Sequence, residues 1–503
     1  MSPTPQQLIL HCNRLKAERA ALERQWREIA AYMRPQHLPA LLGESSAPRR
    51  SVLLLDSTAR IAVEGFAAGI YGMMTNPANR WFALKLADED LNGYDPVRDW
   101  LYEAETRLLD SFGPQASRFY AVLPGLFADL ACFGTAVFYS GEIPGTGRFN
   151  DTVRALPECH IAENAHGEID TVFRRFTLTP RQAVEMFGEA VSARVRKAAE
   201  ANTVERVAFL HAVFPQPDPA QAAAKPFASV YVEEDHATVV GQGSYFEMPY
   251  QVPRWTQAAG EAYGRGIGDQ VLPDVRLLVR MEETVLRSAE LMADPPMAVP
   301  DKGLSRGAHT RPGGITYGAL DHEGQLRIKP IYTGANPAMA LELIAERRQA
   351  VRDAFQLSLM QMSSGPNMTA TEFMARHEEK LRLLGPNLGR IQSEFLSPLI
   401  RRRFGLLLRA GRLPEPPKEM RGQDLKVEYV SPLARAQMAS EAQAVSRLYD
   451  SIGPAAAVSP SVIDNIDHDE AVQVMGRGWA VPARIMRGAD QVRDMRLRAA
   501  TVV

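Results

Sequence analysis

The sequence is poor in the features that mark most extracellular, nucleic-acid-coating and membrane proteins. Its 503 residues include three cysteines, at positions 12, 132 and 159, and so few scattered thiols exclude a disulfide framework or a thiolate zinc site. The formal net charge of −2 excludes binding of nucleic acid through a bulk excess of positive charge. The best candidate for a membrane span, 59–74, is shorter than the roughly 18 residues of such a span and contains Arg60 and Glu64. We therefore predict no membrane partner.

Motifs that bind nucleotides, cofactors or metals are also missing from the sequence. No G-x-x-x-x-G-K-[ST] segment offers a phosphate cradle to ATP. The glycines of YGRGIG lack the context of a dinucleotide-binding turn, which needs a preceding strand and a helix starting directly after it, because Pro273 follows here. His377 lacks the second histidine of a zincin helix, and no serine lies in a nucleophile elbow. We predict no catalytic residue, no cofactor and no metal site.

An acidic group near the C-terminus has two interpretations. It comprises Asp464, Asp467, His468, Asp469 and Glu470. Clustered carboxylates can bind a hard cation, but this group lacks the spacing and the central glycine of a calcium loop. Acidic residues are common at helix N-termini, where the helix dipole stabilises them. We favour the helix N-terminus.

The composition indicates a folded protein with several subdomains. A hydrophobic content of 46% is ample for burial, and the chain exceeds the length that one hydrophobic core usually serves. Strand-like segments, such as IDTVFRRFTL and FASVYVEE, alternate with helical ones. The fold class is therefore predicted to be α+β, with 215–226 as a surface loop inside one sheet.

The clearest helix signals lie between Tyr263 and Leu384. Glycines at 264, 266 and 268 predict a turn, and the following helix, to about 293, has one apolar stripe. Short strand-like pieces, punctuated by proline and glycine, follow up to Thr333. Asn336 and Pro337 predict the start of a second helix that reaches about Met360 and is a candidate antiparallel partner of the first.

A break separates the second helix from a third. Gly365 and Pro366 stop a helix, and Thr369 with Glu372 forms a capping box that starts the next one. We expect that helix to continue, with kinks at Pro386 and Pro398, to about Ala410. The uncharged side chains of the break are Gln361, Met362, Ser363, Ser364 and Asn367. Because a buried break would leave backbone polar groups without partners, we expect the break to lie beside solvent.

Two long segments resemble the portal, or head-to-tail connector, proteins of short-tailed, podovirus-type bacteriophages. They are YGRGIGDQVLPDVRLLVRMEETVLRSAELMADPPMAVPD and MTATEFMARHEEKLRLLGPNLGRIQSEFLSPLIRRRF. The segment 56–86 and the C-terminal segment resemble the same family, so the resemblance extends along nearly the whole chain.

The resemblance implies a ring-shaped conduit rather than an enzyme. The implied assembly is a homo-oligomeric ring, commonly a dodecamer, at one capsid vertex, through which double-stranded DNA is packaged and later ejected. The other implied partners are terminase, tail or adaptor proteins, and capsid and scaffolding proteins. The implied location is the portal vertex of the virion, after assembly in the host bacterial cytoplasm.

The family pattern also implies a subdivision of the chain. It comprises N-terminal helices and an α/β wing (1–263), a first stem helix (264–293), a clip (294–336), a second stem helix (337–360), a tunnel loop (361–368), a long helix with a strand that returns to the wing (369–434) and a helical crown (435–503). The uncharged tunnel loop suits contact with DNA that must slide. In the clip, the candidates for contact with DNA or terminase are Lys302, Arg306, Arg311, Arg327 and Lys329.

Three further predictions concern local packing. Residues 6–34 are expected to form one amphipathic helix, on the body surface or at a subunit contact. Asp56 is expected to cap a helix whose glycines, at 65, 69 and 72, let a neighbouring backbone approach closely. The arginines at 401–403 point about 100° apart on one helix, so we favour ion pairs between subunits or solvation over DNA contact.

Two alternatives come from other functional classes. One is a non-portal structural adaptor of a virus particle, and the other is an α+β enzyme with an unrecognised site. Ring size and channel diameter distinguish the three interpretations.

Overall fold

The computed structural model of the chain describes its N-terminal half almost continuously and its C-terminal half in pieces. The described residues are 3–37, 41, 55–92, 94–293, 297–298, 320, 322–323, 325, 329–330, 337–357, 384–420, 423, 425–430, 432–479, 481, 485–487, 492–493 and 495–498. Helices and strands both contribute to the described core, so the α+β class that the sequence predicts is confirmed.

The helices and strands are numbered in chain order. The helices are α1 (Pro5–Glu18), α2 (Ala20–Met33), α3 (Thr58–Met74), α4 (Glu89–Asn92), α5 (Asp95–Phe112), α6 (Phe119–Phe133), α7 (Pro180–Phe187), α8 (Ala193–Glu200), α9 (Pro219–Ala222), α10 (Ile267–Ala293), α11 (Pro337–Ala354), α12 (Ser397–Arg409), α13 (Pro432–Val458) and α14 (His468–Gly478). The strands are β1 (Phe82–Leu86), β2 (Val137–Ile143), β3 (Arg148–Arg154), β4 (Cys159–Glu163), β5 (Ile169–Leu178), β6 (Val207–Pro215), β7 (Phe227–Glu233), β8 (Thr238–Tyr245), β9 (Tyr250–Gln251), β10 (Met297–Ala298), β11 (Lys329–Pro330) and β12 (Leu425–Tyr429).

The largest sheet is an antiparallel meander in the order β4-β5-β6-β7-β8. Alternation along its strands sends Phe173 to one face and Phe176 to the other. The Phe173 face packs against Leu8 and Cys12 of α1. The Phe176 face packs against Val195 of α8. Since β6 and β7 are paired neighbours, the segment 215–226 is a loop within this sheet, as predicted.

The main core lies between the helices α2, α3 and α6, the start of α10 and the three-stranded sheet β3-β2-β9. Gly134 ends α6 in the left-handed conformation, with φ +71°, and the chain then turns into β2. The first strand, β1, pairs antiparallel with β12. The predicted return strand therefore joins the N-terminal half through β1, not through the five-stranded sheet.

The expected single helix over 6–34 is two helices, because the chain breaks at Arg19 (φ −89°, ψ 2°). The buried side chain of Arg19 donates hydrogen bonds to the main-chain oxygens of Leu156, Pro157 and Cys159. The break directs α1 onto the five-stranded sheet and α2 into the main core. Apolar periodicity carried no signal for it, because the hydrophobic pattern continues on both sides.

The capping role of Asp56 is confirmed in part. Its Oδ1 accepts a hydrogen bond from the N–H of Thr58 (2.8 Å) at the start of α3, although Ser57 is the residue at the cap position. The prediction that Gly72 lets a neighbouring backbone approach is wrong, because no atom lies within 4 Å of a Cβ built there.

Two helices differ from the expectation, one at its end and one in its interior. The helix α11 ends at Ala354 rather than about Met360, and Gln356 then has φ +51° while Phe355 and Leu357 are buried in the main core. The helix that ends at Arg409 contains a π-helical segment, Gln392–Leu396, between the two expected kinks.

Candidate functional site: a helix pair anchored on a glycine turn

The start of α10 is fixed by close backbone contact with the end of α6. A Cβ atom at Gly264, Gly266 or Gly268 would lie 2.3 to 2.5 Å from a carbonyl oxygen of residues 131–134. No side chain fits at such a distance, so the segment 264–268, here called the glycine turn, requires glycine. The N–H of Gly264 also donates to Thr135 Oγ1 (2.8 Å). The glycine turn thus sets the direction in which α10 leaves the body.

The helices α10 and α11 lie side by side and are here called the helix pair. They are antiparallel, because β10 and β11, just beyond the end of α10 and just before the start of α11, pair with each other. Asp274 accepts a hydrogen bond from Arg347 (3.2 Å), and Arg348 forms ion pairs with both Glu282 and Asp56. Arg348 therefore ties both helices to the start of α3.

The helix pair divides into a near half and a far half. In the near half the buried apolar side chains are Ile267, Val271, Leu272, Val275, Leu278, Ile344 and Val351. Beyond Leu278, no side chain that the structure describes on α10 is buried. Leu286 is 49% exposed, Met292 51% and Leu341 54%. Since α10 is about 40 Å long at 1.5 Å per residue, about half of it extends beyond the near half with apolar side chains uncovered.

A buried ion network holds the body beside the glycine turn. Arg254 donates from its guanidinium to Glu394 and Glu163, and its main-chain N–H donates to Glu394 Oε2 (2.8 Å). Burial acts to lower the pKa of Arg254, and the hydrogen bonds to the two carboxylates raise it by more. Glu394 lies within the π-helical segment. Its bonds to Arg254 therefore hold this segment against the chain that follows β9 and precedes the glycine turn. No sequence motif indicated this contact between distant residues.

The predicted roles of the arginines at 401–403 are wrong for two of the three. Arg402 and Arg403 are buried, while Arg401 is exposed. Arg402 donates to the main-chain oxygen of Ser140 (2.8 Å), and Arg403 forms an ion pair with the fully buried Asp151. Burial lowers the pKa of both guanidinium groups. The three arginines do point in different directions around the helix, but Arg402 and Arg403 point into the core of their own chain rather than to a neighbouring subunit or to solvent.

The sequence-predicted contact residues are mostly outside the part of the chain that the structure describes. The tunnel-loop candidates Gln361, Met362, Ser363, Ser364 and Asn367 lie outside it, as do the clip candidates Lys302, Arg306, Arg311 and Arg327. Lys329 belongs to β11, and its backbone pairs with Ala298. The structure therefore brings none of these candidates together, and they stay predictions.

Four residues of the acidic group, Asp467 to Glu470, lie at the N-terminus of α14, as favoured, whereas Asp464 lies in a preceding 3-10 helix, Pro460–Asn465. Asp467 Oδ1 accepts hydrogen bonds from the N–H groups of Asp469 and Glu470 (3.1 Å each). Asp469 forms an ion pair with Arg496 (2.7 Å). Over the described ranges, no cluster of three or more histidine, cysteine or carboxylate side chains is arranged to hold a metal ion. Nor does any helix in those ranges combine the length and the apolar character needed to cross a membrane.

Comparison with known proteins relates the chain to the bacteriophage connectors. A family model described as "Bacteriophage head to tail connecting protein" matches residues 6–486. The chain is 29% identical over 510 aligned residues to the portal protein of Salmonella phage epsilon15, covering 98% of this chain and 90% of that protein. It is 31% identical over 498 aligned residues to the "Probable portal protein" of Bordetella phage BPP-1, covering 96% and 87%.

These matches confirm the resemblance on which the sequence analysis depended. They cover the glycine turn, the helix pair and the body alike, and the described fold is of the expected mixed class. The chain therefore belongs to the bacteriophage head-to-tail connecting protein family and has the role of a portal, a structural component of the phage virion.

Proposed function

We propose that twelve copies of this chain form a closed ring at one capsid vertex, and that double-stranded DNA enters and leaves the capsid through its central channel. The observation that carries the proposal is the far half of the helix pair, where Leu286, Met292 and Leu341 are about half exposed. Burying such side chains against neighbours is favourable by about 25 cal/mol per Å² of apolar surface. A heterologous contact that repeats by rotation closes into a ring.

The subdivision implied by the family is proposed with it. Residues 264–293 and 337–360 would be the stem, 294–336 the clip, 361–368 the tunnel loop, 435–503 the crown, and the remaining segments the wing and the long helix. Assembly would take place in the host bacterial cytoplasm with capsid and scaffolding proteins. The ring would then dock terminase during packaging and tail or adaptor proteins afterwards.

The ring is tested with purified full-length protein. Native mass spectrometry should give one closed oligomer, and electron-microscopy class averages down the symmetry axis should show twelve subunits around an open channel wide enough for duplex DNA. Monomer or dimer alone over a wide concentration range would contradict the ring. A ring with a closed or much wider centre would favour a non-portal adaptor.

The tunnel loop is proposed to contact sliding DNA through its uncharged side chains. A polyanion that must move is held weakly by a surface without positive charge. A variant that lacks Ser363 and Ser364 should form rings but package DNA poorly in an assay with capsids and terminase. Normal packaging by that variant, or a ring structure with these residues on the outer rim, would contradict the assignment.

The clip is proposed to bind terminase or DNA through Lys302, Arg306, Arg311, Arg327 and Lys329. Alanine at Arg306 and Arg311 should weaken the binding of terminase or of DNA to the ring and reduce its salt dependence. Alanine at the exposed Arg401 is the matched control. Unchanged binding of both partners by the clip variant would remove the proposal.

The ring is further proposed to hydrolyse no nucleotide. The chain has no phosphate-binding loop, so the energy for packaging would come from terminase. Purified ring should not turn over ATP above a buffer control. Turnover that a point change in this chain abolishes would contradict the proposal and would favour an enzyme.

A further inference from the structure

The helix pair carries a row of positive charge on the outer side of α10. This row, the basic edge, consists of Arg276, Arg280 and Arg287. Each lies about 160–180° around the helix from Leu278, which lies between the two α10 side chains that pair with α11. The basic edge therefore faces directly away from α11. Glu283 and Glu290 flank it on α10, so the edge has three arginines against two glutamates.

The outer side of α11 carries a row of negative charge. This row, the acidic edge, consists of Glu342, Glu346 and Asp353, and all three are exposed. Each lies about 160–180° around α11 from the buried Ile344, so the acidic edge faces directly away from α10. Of the three arginines of α11, Arg347 and Arg348 face α10, and Arg352 lies about 80° around the helix from Ile344, lining a cavity with Asp56 and Thr58. The outer side of α11 is therefore acidic, whereas the outer side of α10 carries its arginines alongside Glu283 and Glu290.

Most of these charges have no partner within the described chain. Arg276 pairs with Glu28 of α2, and Asp353 accepts a hydrogen bond from Gln349 (2.8 Å). Among the residues that the structure describes, none forms an ion pair with the side chains of Arg280, Arg287, Glu342 or Glu346. These four exposed side chains are therefore available to another molecule.

The positions of the two edges along the helix pair also match. Arg347 contacts Asp274 and Arg348 contacts Glu282, so this part of α11 lies beside the middle of that α10 interval, near Leu278, and the antiparallel register is counted from there. On that register Arg280 is level with Glu346, and Arg287 lies within about one turn of Glu342. A rotation about a ring axis does not change height along the axis. In a ring whose axis runs parallel to the helix pair, the same residues are therefore level between neighbouring subunits.

We propose that Arg280 and Arg287 of one subunit form ion pairs with Glu346 and Glu342 of the next subunit. The inference rests on the proposed ring and names the contact that orders its subunits. Complementary charges on opposite sides favour head-to-tail contact. If one subunit were reversed, two edges of the same kind would face each other and repel. Leu286 lies about 80° around α10 from Leu278, next to Glu290 on the flank of the basic edge, and the charges select the orientation of the contact.

The first experiment reverses one edge at a time in the full chain. Variant A carries Arg280→Glu and Arg287→Glu, and variant B carries Glu342→Arg and Glu346→Arg. Each places like charges at every contact, so the fraction of closed rings in native mass spectrometry should fall at least about tenfold at fixed concentration and low salt. Arg401→Glu, at another exposed arginine, is the control and should leave the ring fraction unchanged.

The second experiment mixes the two variants. A ring in which A and B alternate places glutamate against arginine at every contact, so mixing should restore rings with equal numbers of A and B and an even number of subunits. The quadruple variant, with both edges reversed in one chain, should also form rings. Because recovery on mixing requires folded subunits, it also shows that the loss in A and B alone was not caused by misfolding.

The outcomes separate this inference from the proposed function. Rings formed by A alone and B alone at wild-type concentration and salt would overturn the charge pairing while the ring stands. Failure of both the mixture and the quadruple variant to form rings would overturn it as well. Absence of rings in the wild-type protein would overturn the proposed function and, with it, this contact.

Discussion

The near and far halves of the helix pair are built on different principles. In the near half, glycines press against the backbone of residues 131–134, and Arg348 joins both helices to Asp56. In the far half, apolar side chains such as Leu286 and Leu341 are about half exposed. The near half is therefore stabilised by its own chain, whereas the far half leaves such side chains exposed, and in the proposed ring a neighbouring subunit would bury them.

Because of this difference, the stability of the subunit and the assembly of the proposed ring can be changed by substitutions at different positions. Substitutions beside the near half act on folding, since every subunit carries the defect before it meets a neighbour. Substitutions in the far half are expected to act on association in the proposed ring, since Leu286, Met292 and Leu341 are about half exposed in the single chain. A test of the comparison therefore measures the free energy of unfolding of the subunit and the fraction of rings for the same variant.

The largest effect on folding is expected at Arg403. Replacing it with methionine leaves the carboxylate of Asp151, which is fully buried, without its cation. Loss of one partner of a buried pair costs about 3–5 kcal/mol, so urea unfolding monitored by circular dichroism should show a loss of this size. Arg401→Met, at the exposed neighbour, should stay within about 0.5 kcal/mol. Equal effects of the two changes would contradict the buried pair.

The next largest effect is expected at the glycine turn. A Cβ on residue 266 would lie 2.5 Å from the carbonyl oxygen of Ala131, so Gly266→Ala forces two backbones apart and should cost about 1–3 kcal/mol. The control, Gly72→Ala, adds a Cβ where nothing lies within 4 Å and should be neutral or stabilise α3 by up to about 1 kcal/mol. If Gly266→Ala were neutral in urea unfolding, the glycine turn would not anchor the near half.

A smaller effect is expected from acid, and it belongs to the body rather than to the helix pair. Burial lowers the pKa of His211 from 6.5 to about 3, where it bonds Tyr250 and Ser229. The folded state favours the neutral imidazole of His211. Its contribution to the free energy of unfolding is therefore fully present above pH 6.5 and is lost as the pH falls toward 3. The loss approaches about 1.4 kcal/mol per pH unit.

The measurement is urea unfolding between pH 7.5 and 5. His211→Gln should be less stable at pH 7.5, because the stacking of His211 on Tyr231 (3.9 Å between ring centroids) is lost, and its stability should fall less steeply with acid. The exposed His236→Gln should keep the wild-type slope. An unchanged slope in His211→Gln would remove His211 as the source of the acid sensitivity.

Local signals in the sequence predicted much of the fold. The strand at 169–178 and the loop at 215–226 were each predicted from their own residues. The glycine turn was also predicted as a turn. Its contact with residues 131–134 was not, because it joins segments more than a hundred residues apart in sequence.

What the sequence did not predict depends on tertiary contact. The break at Arg19 exists because the arginine reaches main-chain oxygens near residue 157, and α11 ends early because Phe355 and Leu357 enter the core. Arg402 and Arg403 looked like surface charge, since a run of three arginines gives no sign of a buried acceptor. The two charged edges depend on both sequence spacing and tertiary contact. The spacing places the charges of each helix in one row, and the packing of the two helices decides which way each row faces.

The smallest effect on the free energy of unfolding is expected for a substitution in the far half. Leu286 is 49% exposed in the single chain, so Leu286→Ser removes little burial from the subunit and should change its free energy of unfolding by no more than about 0.5 kcal/mol. In a ring the same side chain would be buried against a neighbour, and its loss should lower the ring fraction in native mass spectrometry. Leu278→Ser, in the buried near half, is the matched control and should destabilise the subunit itself by several times as much. Equal loss of subunit stability in both variants would mean that Leu286 is already covered within its own chain, and the division between the two halves would then disappear.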